Sequence, residues 1–522
     1  MKKPFLLVVA FLVYFHSLSQ NWGLDQDFNG VGYNATNMIV GGDDNAECLT
    51  IQNDGKILVA GYGLRVARYN TDGTLDTSFN TIGSTAPFGN NGSLNFIKQI
   101  IITPSNKILV VGGIYTNKFY LYLAQYNLNG TLDTTFGTNG RKNIDVGPSV
   151  TLTIGNAIYT SDNMILVATT SYLTEGDFNI IKCNKFGILE PSFGGTGIVS
   201  IDGISNDQEG RIALRSDGKI LLSGNSNANP AIGTFRQHVL MLFNQVGTLD
   251  TTFGTNGKSF TNFATNNSQE IRSILLLNDD SLLISGHYYT GNASRNDGFV
   301  SKLNSDGTID SSFGENGISL VSFTDANSSI GNNDFINAAT IQSDGKIVIA
   351  GLSNGSGSDF KFCVARFNPQ GTIDTTFGTD GKMLFPIYGF NDAVMDVKSQ
   401  SDGKIVVCGL SKINTVDCSY IVARLTPNST LSSSELNTIQ NSIQLYPNPA
   451  KDKITISGLN FQFSNEKLNA TLMSSDGKEL KSLNYTTTVD SIELCLNDIS
   501  SGIYLLRISD GNKDVFRKFV KE

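Results

Sequence analysis

Two short phrases recur along the whole chain, and they constrain the fold more than any other feature. The first is Leu-Asp-Thr-Thr-Phe-Gly or a close copy, whose phenylalanines lie from 51 residues (Phe28 to Phe79) to 64 residues (Phe313 to Phe377) apart. The second is Asp-Gly-Lys-Ile or a close copy. Each occurs seven times: the phenylalanines are Phe28, Phe79, Phe136, Phe193, Phe253, Phe313 and Phe377, and the second phrase ends at Ile57, Ile108, Ile165, Ile220, Leu282, Ile347 and Ile405. Repeats of this length predict an array of similar supersecondary units.

Residues 335–386 show one unit most clearly. Runs typical of β-strands at 335–342 and 346–352 are joined by an Asp-Gly turn, which is a strong hairpin signal. A third run covers 360–367, and a fourth begins near Lys382. Four strands without a helical stretch predict one blade of a β-propeller. In the connecting phrase we expect one helical turn that puts Ile373 and Phe377 on the same side, at the seam between blades.

The two phrases are out of phase, because the first phrase opens the series and the second closes it. The last unit, 402–425, has three strands but no phenylalanine phrase after it. The chain begins with that phrase, followed by a strand near 31–40. The N-terminal strand is therefore predicted to complete the seventh blade and leave no open edge at the junction. An open β-solenoid is the alternative, but it needs capping units and does not explain complementary half-units.

The repeated phrases resemble a known family. Gly-Thr-Leu-Asp-Thr-Thr-Phe-Gly-Thr-Asn-Gly at 130–140 and 247–257, with Asp-Gly-Lys-Ile-Val-Ile-Ala-Gly at 344–351, is similar to the delta-60 repeats of bacterial β-propellers. The resemblance covers residues 24–425. It implies a β-propeller, which we assign to residues 20–426. The members of this family share no common activity, so the resemblance implies none.

The C-terminal segment departs from the repeat. A Ser- and Asn-rich linker is predicted at 427–442, and alternating short strands and turns over 443–522 predict a small, immunoglobulin-like β-sandwich. The segment resembles the type A C-terminal sorting domain of the type IX secretion system of Bacteroidetes. A plain immunoglobulin-like module is the alternative. The motif residues that carry the resemblance are Tyr446, Pro447, Asn448, Pro449, Asp476, Gly477, Lys478, Gly502, Ile503, Tyr504 and Lys518.

This resemblance implies passage through the periplasm and recognition of the folded domain by the outer-membrane machinery. The product is then released or attached to the cell surface. The N-terminus agrees, because residues 1–19 have the layout of a signal peptide, with Lys2 and Lys3 before an apolar stretch at 5–15 and cleavage expected near Ser19. An uncleaved amphipathic start is the alternative. The apolar stretch is about half the length that spans a bilayer, so we expect no transmembrane segment after signal removal.

Charge and cysteine content exclude several functions. The formal net charge of -9 and a pI near 5.0 disfavour nucleic-acid binding. The six cysteines have no spacing typical of zinc ligands. Cys408 and Cys418 flank a predicted hairpin, so they form a candidate disulfide, and buried thiols are the alternative.

Few residues suggest chemistry. Outside the signal peptide the histidines are His238 and His287, which we expect to be solvated or core residues. The loop 304–310 resembles a calcium loop, but the equivalents of Asp306 include Phe186 and Val246, so a turn stabilised by Asn304 is favoured. Tyrosines predicted in variable loops either contact a ligand or anchor those loops: Tyr115, Tyr172, Tyr288 and Tyr289.

We therefore predict no catalytic residue, cofactor or metal. The predicted function is a monomeric, secreted or cell-surface propeller that binds or scaffolds without catalysis. Its expected partners are the type IX secretion machinery and an extracellular glycan or protein. An extracellular polysaccharide hydrolase or lyase, and a structural adhesion component, are the alternatives.

Overall fold

The computed structural model divides into two compact units, Met1–Ser429 and Thr430–Glu522. The predicted signal peptide and almost all of the predicted linker lie outside the described residues. The structure describes residues 22–38, 44–85, 94–147, 151–172, 176–201, 207–226, 237–261, 268–289, 296–323, 333–355, 359–387, 391–412, 418–427, 444–457, 467–474, 479–486, 491–509 and 514–522.

The described part of the first unit is built from short strands, with one 3-10 turn at Phe79–Thr81. The strands are β1 (Trp22–Leu24), β2 (Tyr33–Thr36), β3 (Ala46–Ile51), β4 (Ile57–Gly61), β5 (Val66–Tyr69), β6 (Phe96–Ile102), β7 (Lys107–Tyr115), β8 (Phe119–Asn127), β9 (Arg141–Ile144), β10 (Thr151–Tyr159), β11 (Met164–Tyr172), β12 (Gly176–Asn184), β13 (Ile198–Ile201), β14 (Gln208–Leu214), β15 (Ile220–Ser226), β16 (Gln237–Phe243), β17 (Lys258–Thr261), β18 (Gln269–Leu276), β19 (Leu282–Tyr289), β20 (Asn296–Leu303), β21 (Ile318–Val321), β22 (Asp334–Ile341), β23 (Ile347–Ser353), β24 (Lys361–Phe367), β25 (Lys382–Phe385), β26 (Asp392–Ser399), β27 (Ile405–Lys412) and β28 (Cys418–Pro427).

These strands form seven antiparallel sheets, numbered here as blades 1 to 7. Blade 1 is β3-β4-β5, and blades 2 to 6 are the successive four-stranded sheets from β6-β7-β8-β9 to β22-β23-β24-β25. Blade 7 is β26-β27-β28, with both β1 and β2 paired to β28. The first strands of neighbouring blades contact one another, and β26 contacts β3, so the seven sheets close into a ring.

The closure prediction is confirmed. In β1, Leu24 lies opposite Leu425, and β2 continues along the same strand with Tyr33 opposite Ala423. The sequence pattern predicted the second of these strands but not β1. Because both N-terminal strands add to β28, this strand has no open edge where they pair.

The ring core consists of seven apolar clusters, each shared by two neighbouring blades. One phenylalanine of the first phrase lies in each cluster, and all seven are at most 6% exposed. Phe28 joins blade 7 to blade 1, and Phe377 joins blade 6 to blade 7. The predicted position of Phe377 at a seam is therefore confirmed.

The expectation that Ile373 and Phe377 lie on one side is wrong. Ile373 packs against the cluster between blades 5 and 6, whereas Phe377 lies in the cluster between blades 6 and 7. The segment forms turns instead of a helical turn, because Ile373 makes a β-bridge with Phe367 that holds it beside β24.

In five of the seven blades an ion pair links the two phrases. The lysine of Asp-Gly-Lys-Ile binds the aspartate of Leu-Asp-Thr-Thr-Phe within one blade. Lys56 Nζ lies 2.7 Å from Asp76, and Lys346 Nζ lies 2.9 Å from Asp374. The same pair forms in blades 2, 4 and 7: Lys107 with Asp133, Lys219 with Asp250 and Lys404 with Asp25.

The second unit is a two-layer β-structure. Sheet β29-β30-β33 and sheet β32-β31-β34-β35 share one apolar core that includes Ile454, Leu472 and Phe519. The immunoglobulin-like assignment stays a prediction. The strands are β29 (Gln444–Tyr446), β30 (Lys453–Ser457), β31 (Lys467–Ser474), β32 (Glu479–Thr486), β33 (Ser491–Cys495), β34 (Gly502–Ser509) and β35 (Asp514–Lys521).

Candidate binding site in the central channel

Every first strand of the ring carries a β-bulge at an equivalent position. In blade 2 the pairs Ile97–Gly112 and Gln99–Val111 leave Lys98 as the extra residue. A bulge bends its strand and changes the direction of a side chain. The residues at the equivalent position are Glu47, Lys98, Gly155, Gly210, Arg272, Asn337 and Met395.

A glycine that recurs four residues after the second phrase permits these bulges. A Cβ atom on Gly351 would lie 1.9 Å from the carbonyl oxygen of Phe335, and one on Gly409 would lie 1.9 Å from that of Ala393. A side chain is therefore excluded where the bulged strand approaches its neighbour. Blade 3 has Thr169 at this position, and the register of its first strand shifts between Ile154 and Ala157.

The first strands surround a channel of about 240 Å³ to which all seven blades contribute. Its charged lining residues are two carboxylates and four cations. They are Glu47, Lys98, Arg211, Arg272, Asp396 and Lys398. None of them belongs to either repeated phrase, so the repeated phrases do not point to this site. The glycine four residues after the second phrase is the signal that would have located the bulges.

The two lysines are paired with the carboxylates. Lys98 Nζ lies 2.8 Å from Glu47, and Lys398 Nζ lies 2.8 Å from Asp396. Asp396 also accepts a hydrogen bond of 3.0 Å from the amide of Leu49 in blade 1. Partial desolvation inside the channel would lower the pKa of the Lys398 ammonium, but the Asp396 carboxylate outweighs this effect, so this pKa is raised.

The arginines lie on adjacent strands across the ring from blade 1. Arg211 Nη1 donates a hydrogen bond of 3.2 Å to the Gly155 carbonyl. Arg272 Nη2 lies 3.1 Å from the Glu270 carboxylate, which is also 3.5 Å from His287 Nε2. The guanidinium groups therefore give blades 4 and 5 a cationic wall.

Side-chain amides bind neighbouring blades together around the channel. Gln99 accepts a 2.5 Å hydrogen bond from the Ala157 amide and donates a 2.9 Å bond to its carbonyl. Asn156 binds the backbone of Ile212 in the same two-bond manner, at 2.7 and 2.8 Å. Each side-chain amide makes the two hydrogen bonds that a neighbouring strand would otherwise supply, but to a strand of the next blade. These bonds hold the first strands of adjacent blades together and fix the wall of the channel.

Both histidines lie in the protein interior. His238 is fully buried, with Nε2 2.8 Å from Ser223 Oγ, and burial lowers the pKa of this imidazole to about 3. It is therefore neutral at physiological pH, and the serine beside it is not accessible to a substrate. His287 packs edge-on against Phe335, with ring centroids 4.9 Å apart.

The calcium-like loops are hydrogen-bonded turns. Asp306 accepts bonds from the Thr308 amide at 2.9 Å and its hydroxyl at 2.6 Å. Asn304, which we expected to stabilise the turn, does so by donating a 3.0 Å hydrogen bond to the Thr308 hydroxyl. Within the part of the chain that the structure describes, no group of three or more His, Cys, Asp and Glu residues is arranged to hold a metal ion.

The tyrosines predicted in variable loops lie at strand ends in three different blades. Tyr115 ends β7, Tyr172 ends β11, and Tyr288 and Tyr289 end β19. Tyr115 packs edge-on against Phe119, with ring centroids 5.0 Å apart, as an anchor of its own hairpin.

The candidate disulfide between Cys408 and Cys418 is not formed. Cys408 lies opposite Val422, whereas Cys418 lies opposite Lys412 on the neighbouring strand. Four residues of strand separate the two registers, or about 13 Å along the sheet, which is beyond the reach of a disulfide. Both side chains are buried, and burial raises the pKa of the Cys408 thiol.

In the second unit, the Tyr-Pro-Asn-Pro motif lies against the last strand. Asn448 accepts a 2.9 Å hydrogen bond from the Val520 amide, and Ala450 forms a parallel bridge with Lys521. Tyr446 is exposed, and Pro447 and Pro449 both follow cis peptide bonds. The first and last motifs therefore meet at β35, which the sequence did not predict.

The other motif residues lie in or beside the second sheet. Gly502 and Ile503 begin β34, and the Tyr504 hydroxyl donates a 2.7 Å hydrogen bond to the Ser500 carbonyl. Lys518 is exposed on β35, opposite Leu505. Asp476, Gly477 and Lys478 lie outside the described residues.

Two family models match the chain. One is described as a secretion system C-terminal sorting domain and matches residues 444–522. The other is described as a domain of unknown function (DUF5122) β-propeller and matches residues 52–79, 103–136, 215–253, 277–313, 342–377 and 400–434. The chain is a β-propeller repeat protein with a type IX secretion sorting domain. This sorting domain identifies a secreted or outer-membrane cell-surface protein.

Blade 3 is the blade of the propeller that the repeat model leaves unmatched. Met164 and Glu190 replace its lysine and aspartate, so blade 3 lacks the ion pair that forms in blades 1, 2, 4, 6 and 7. In the described residues of this propeller protein, no helix is long and apolar enough to cross a membrane.

A search of curated proteins found no match. Solved structures similar to the propeller protein include the α-L-arabinofuranosidase Arb93A from Fusarium graminearum (10% identity, 62% of this chain and 91% of that chain, TM-score 0.38). They also include PorZ of the Porphyromonas gingivalis type IX secretion system (11%, 91% and 81%, 0.28) and Drosophila Semaphorin 2a (9%, 94% and 97%, 0.44). At TM-scores below 0.5 these likenesses carry no argument about activity.

Proposed function

We propose that this protein is a non-catalytic propeller that binds or scaffolds an extracellular partner at the cell surface. The observation that carries the proposal is the ring of ion pairs between the two repeated phrases, which uses most of the repeated carboxylates for structure. A general acid needs a pKa near the working pH. The repeated carboxylates do not meet this requirement, because their pKa values lie far below neutral pH.

The pKa values of these carboxylates are lowered. Burial raises the pKa of Asp374, but hydrogen bonds from Thr376 and Lys346 and the charge of Arg366 outweigh it, leaving a pKa of about 2. The pKa of Asp25 is likewise lowered, because its bonds to Lys404 and Arg424 outweigh its burial. Ionised carboxylates held by two cations are poor proton donors and acceptors at neutral pH.

A buried carboxylate with a raised pKa is also structural. Burial raises the pKa of Asp334, which is fully buried. It accepts hydrogen bonds from the Phe323 amide, at 3.0 Å, and from the Ser353 hydroxyl. Asp392 is held in the same way by the Ile387 amide and the Ser411 hydroxyl. A substrate cannot reach either group, so neither supports catalysis.

The test screens the full mature chain, from residue 20 onward, against an array of glycans and surface proteins and against a panel of extracellular polysaccharides. We expect saturable binding on the array and no release of reducing ends from the panel. Turnover of any polysaccharide that is abolished by heat denaturation would overturn the proposal in favour of a hydrolase or lyase. A variant lacking residues 430–522 in the same screen separates binding by the ring from binding by the sorting domain.

A further inference from the structure

The channel has the opposite charge balance from the whole chain. The formal net charge of the protein is -9, whereas the channel lining contains four cations and two carboxylates. Counting Glu270, which binds Arg272, the side chains of this group that the structure describes comprise four cations and three carboxylates. A net positive charge within a low-dielectric wall attracts anions more strongly than the same charge on an open surface.

The two lining carboxylates lie together on one side of the ring. Glu47 and Asp396 lie on the adjacent blades 1 and 7, each beside a lysine. Arg211 and Arg272 lie on blades 4 and 5, across the channel. Because the Asp396 carboxylate binds both Lys398 and the Leu49 amide, these two groups largely neutralise its negative charge.

Glycine residues let blades 3 and 4 pack closely together beside the arginines. Blades 3 and 4 have Gly155 and Gly210 at the bulge position, where other blades have long side chains. A Cβ atom on Gly155 would lie 1.6 Å from the Gly210 carbonyl oxygen, so close packing of the two blades excludes a side chain there. Ser273 and Asn156 supply further polar groups to this wall.

The size of the channel limits the ligand. Its volume of about 240 Å³ is below the roughly 300–1,000 Å³ of typical pockets for drug-sized ligands. The lining side chains are accessible to a solute, with exposed fractions of 24% for Lys98, 31% for Arg272 and 41% for Lys398. A single sugar-sized molecule fits this space better than a segment of polymer.

We propose that the channel binds a small organic oxyanion, with its carboxylate on the Arg272 and Arg211 side and additional positive charge from Lys398 and Lys98. Guanidinium groups suit this chemistry because they present paired N–H donors to two oxygens of one anion. The proposal rests on the proposed binding function and names the class of ligand for the ring.

The test measures binding of D-glucuronate to the full mature chain by titration calorimetry in a low-salt buffer, with D-glucose as the neutral control. Sulfate and phosphate are titrated separately. We expect D-glucuronate to bind and D-glucose not to bind. Competition by sulfate or phosphate would support a site that recognises any oxyanion, and the absence of competition would support a site for carboxylates.

Three variants assign the binding to the channel. Arg272→Gln is expected to weaken D-glucuronate binding about tenfold, the loss of one charged hydrogen-bonding group. Glu47→Gln removes a negative charge from the lining and is expected to strengthen binding. Lys185→Gln makes the same charge change as Arg272→Gln at an exposed turn outside the lining, and it is expected to bind like the wild type. Thermal melting of each variant checks that the ring is folded.

Failure to bind any of the three anions, or equal affinity of the wild type and a folded Arg272→Gln variant, would overturn the proposal. Equal binding of D-glucose and D-glucuronate would also overturn it. None of these results concerns bond cleavage, so the non-catalytic function is judged separately by the polysaccharide panel. A positive array with no anion binding refutes the channel site alone.

Discussion

The Asp25 carboxylate lies 2.7 Å from Arg424 Nε, although 399 positions of sequence separate the two residues. Lys404 Nζ approaches the same carboxylate to 3.1 Å. The Arg424 guanidinium also lies 4.7 Å from the centre of the Phe28 ring and donates a 2.6 Å hydrogen bond to the Thr71 carbonyl of blade 1. One cation therefore joins the first phrase, the last blade and the first blade.

Asp25→Asn is expected to destabilise the ring by about 3 kcal/mol, because it leaves the buried Arg424 and the partly exposed Lys404 without their carboxylate. The measurement is urea unfolding followed by tryptophan fluorescence. The sole tryptophan, Trp22, is buried in β1, so it reports directly on ring closure. Asp27→Asn is the matched control, since Asp27 is exposed two positions away, and it should change stability by less than about 0.5 kcal/mol. Equal stability of the two variants would contradict the role of the ion pair.

The ion pairs predict a loss of stability in acid. The pKa values of Asp25 and Asp374 are lowered in the folded protein, so the unfolded chain binds more protons as the pH falls. The stabilisation is complete above the unfolded pKa, about 4, and is lost as the pH falls toward the folded value, which for Asp374 is about 2. Urea midpoints measured from pH 6 to pH 2 check this, and Asp25→Asn should show a shallower decline. A flat profile in the wild type would exclude the proposed linkage.

The ring was predictable because its information is local and repeated. An Asp-Gly turn specifies a hairpin wherever it occurs, and seven out-of-phase copies imply that the chain ends meet. The channel was not predictable in the same way, because its residues are those that differ between units. Lys98, Arg272 and Met395 share only a backbone position, which is defined by bulges within the sheets.

Contacts between units were also beyond the sequence pattern. Gln99 and Asn156 give no signal in a single unit, since their partners lie in the next blade, more than 50 positions away. The candidate disulfide was wrong for a related reason. The sequence predicted the hairpin that carries Cys408 and Cys418, but not the register in which its strands pair. The observed register places the two thiols four residues apart along the strands, too far to form a disulfide.

Phe377→Ala is expected to lower the free energy of unfolding by about 3–5 kcal/mol. The phenyl group of Phe377 is fully buried, and its loss leaves a cavity at the seam between two blades. Phe186→Ala is the matched control. Phe186 is 43% exposed in a turn, so the same truncation should change stability by less than about 0.5 kcal/mol. Urea unfolding compares the two variants. If they were equally stable, the seam phenylalanines would not be the main contacts between blades.

Reductant is expected to leave the thermal unfolding of the protein unchanged, since Cys408 and Cys418 lie in different registers. Peptide mapping without reduction should recover the two cysteines on separate peptides after alkylation in denaturant. A linked peptide, or a melting temperature that falls when reductant is added, would restore the disulfide.

The final prediction concerns the N-terminal strands as a separable part of the ring. A chain that begins after residue 38 should unfold at a lower temperature and self-associate, because β28 then has an open edge. A synthetic peptide of residues 20–38 should bind this chain and restore its melting temperature. The fluorescence of Trp22 should shift to shorter wavelength on binding, because the side chain moves from water to a site 5.0 Å from the Phe377 ring.

The peptide also permits a matched comparison. A peptide with Asp25→Asn is expected to bind about tenfold or more weakly, because Arg424 and Lys404 lose their partner. A peptide with Asp27→Asn is expected to bind like the native sequence. If the truncated chain melted at the wild-type temperature without any peptide, the N-terminal strands would not be the element that closes the propeller. The ion pairs of Asp25 with Arg424 and Lys404 would then not contribute to its closure.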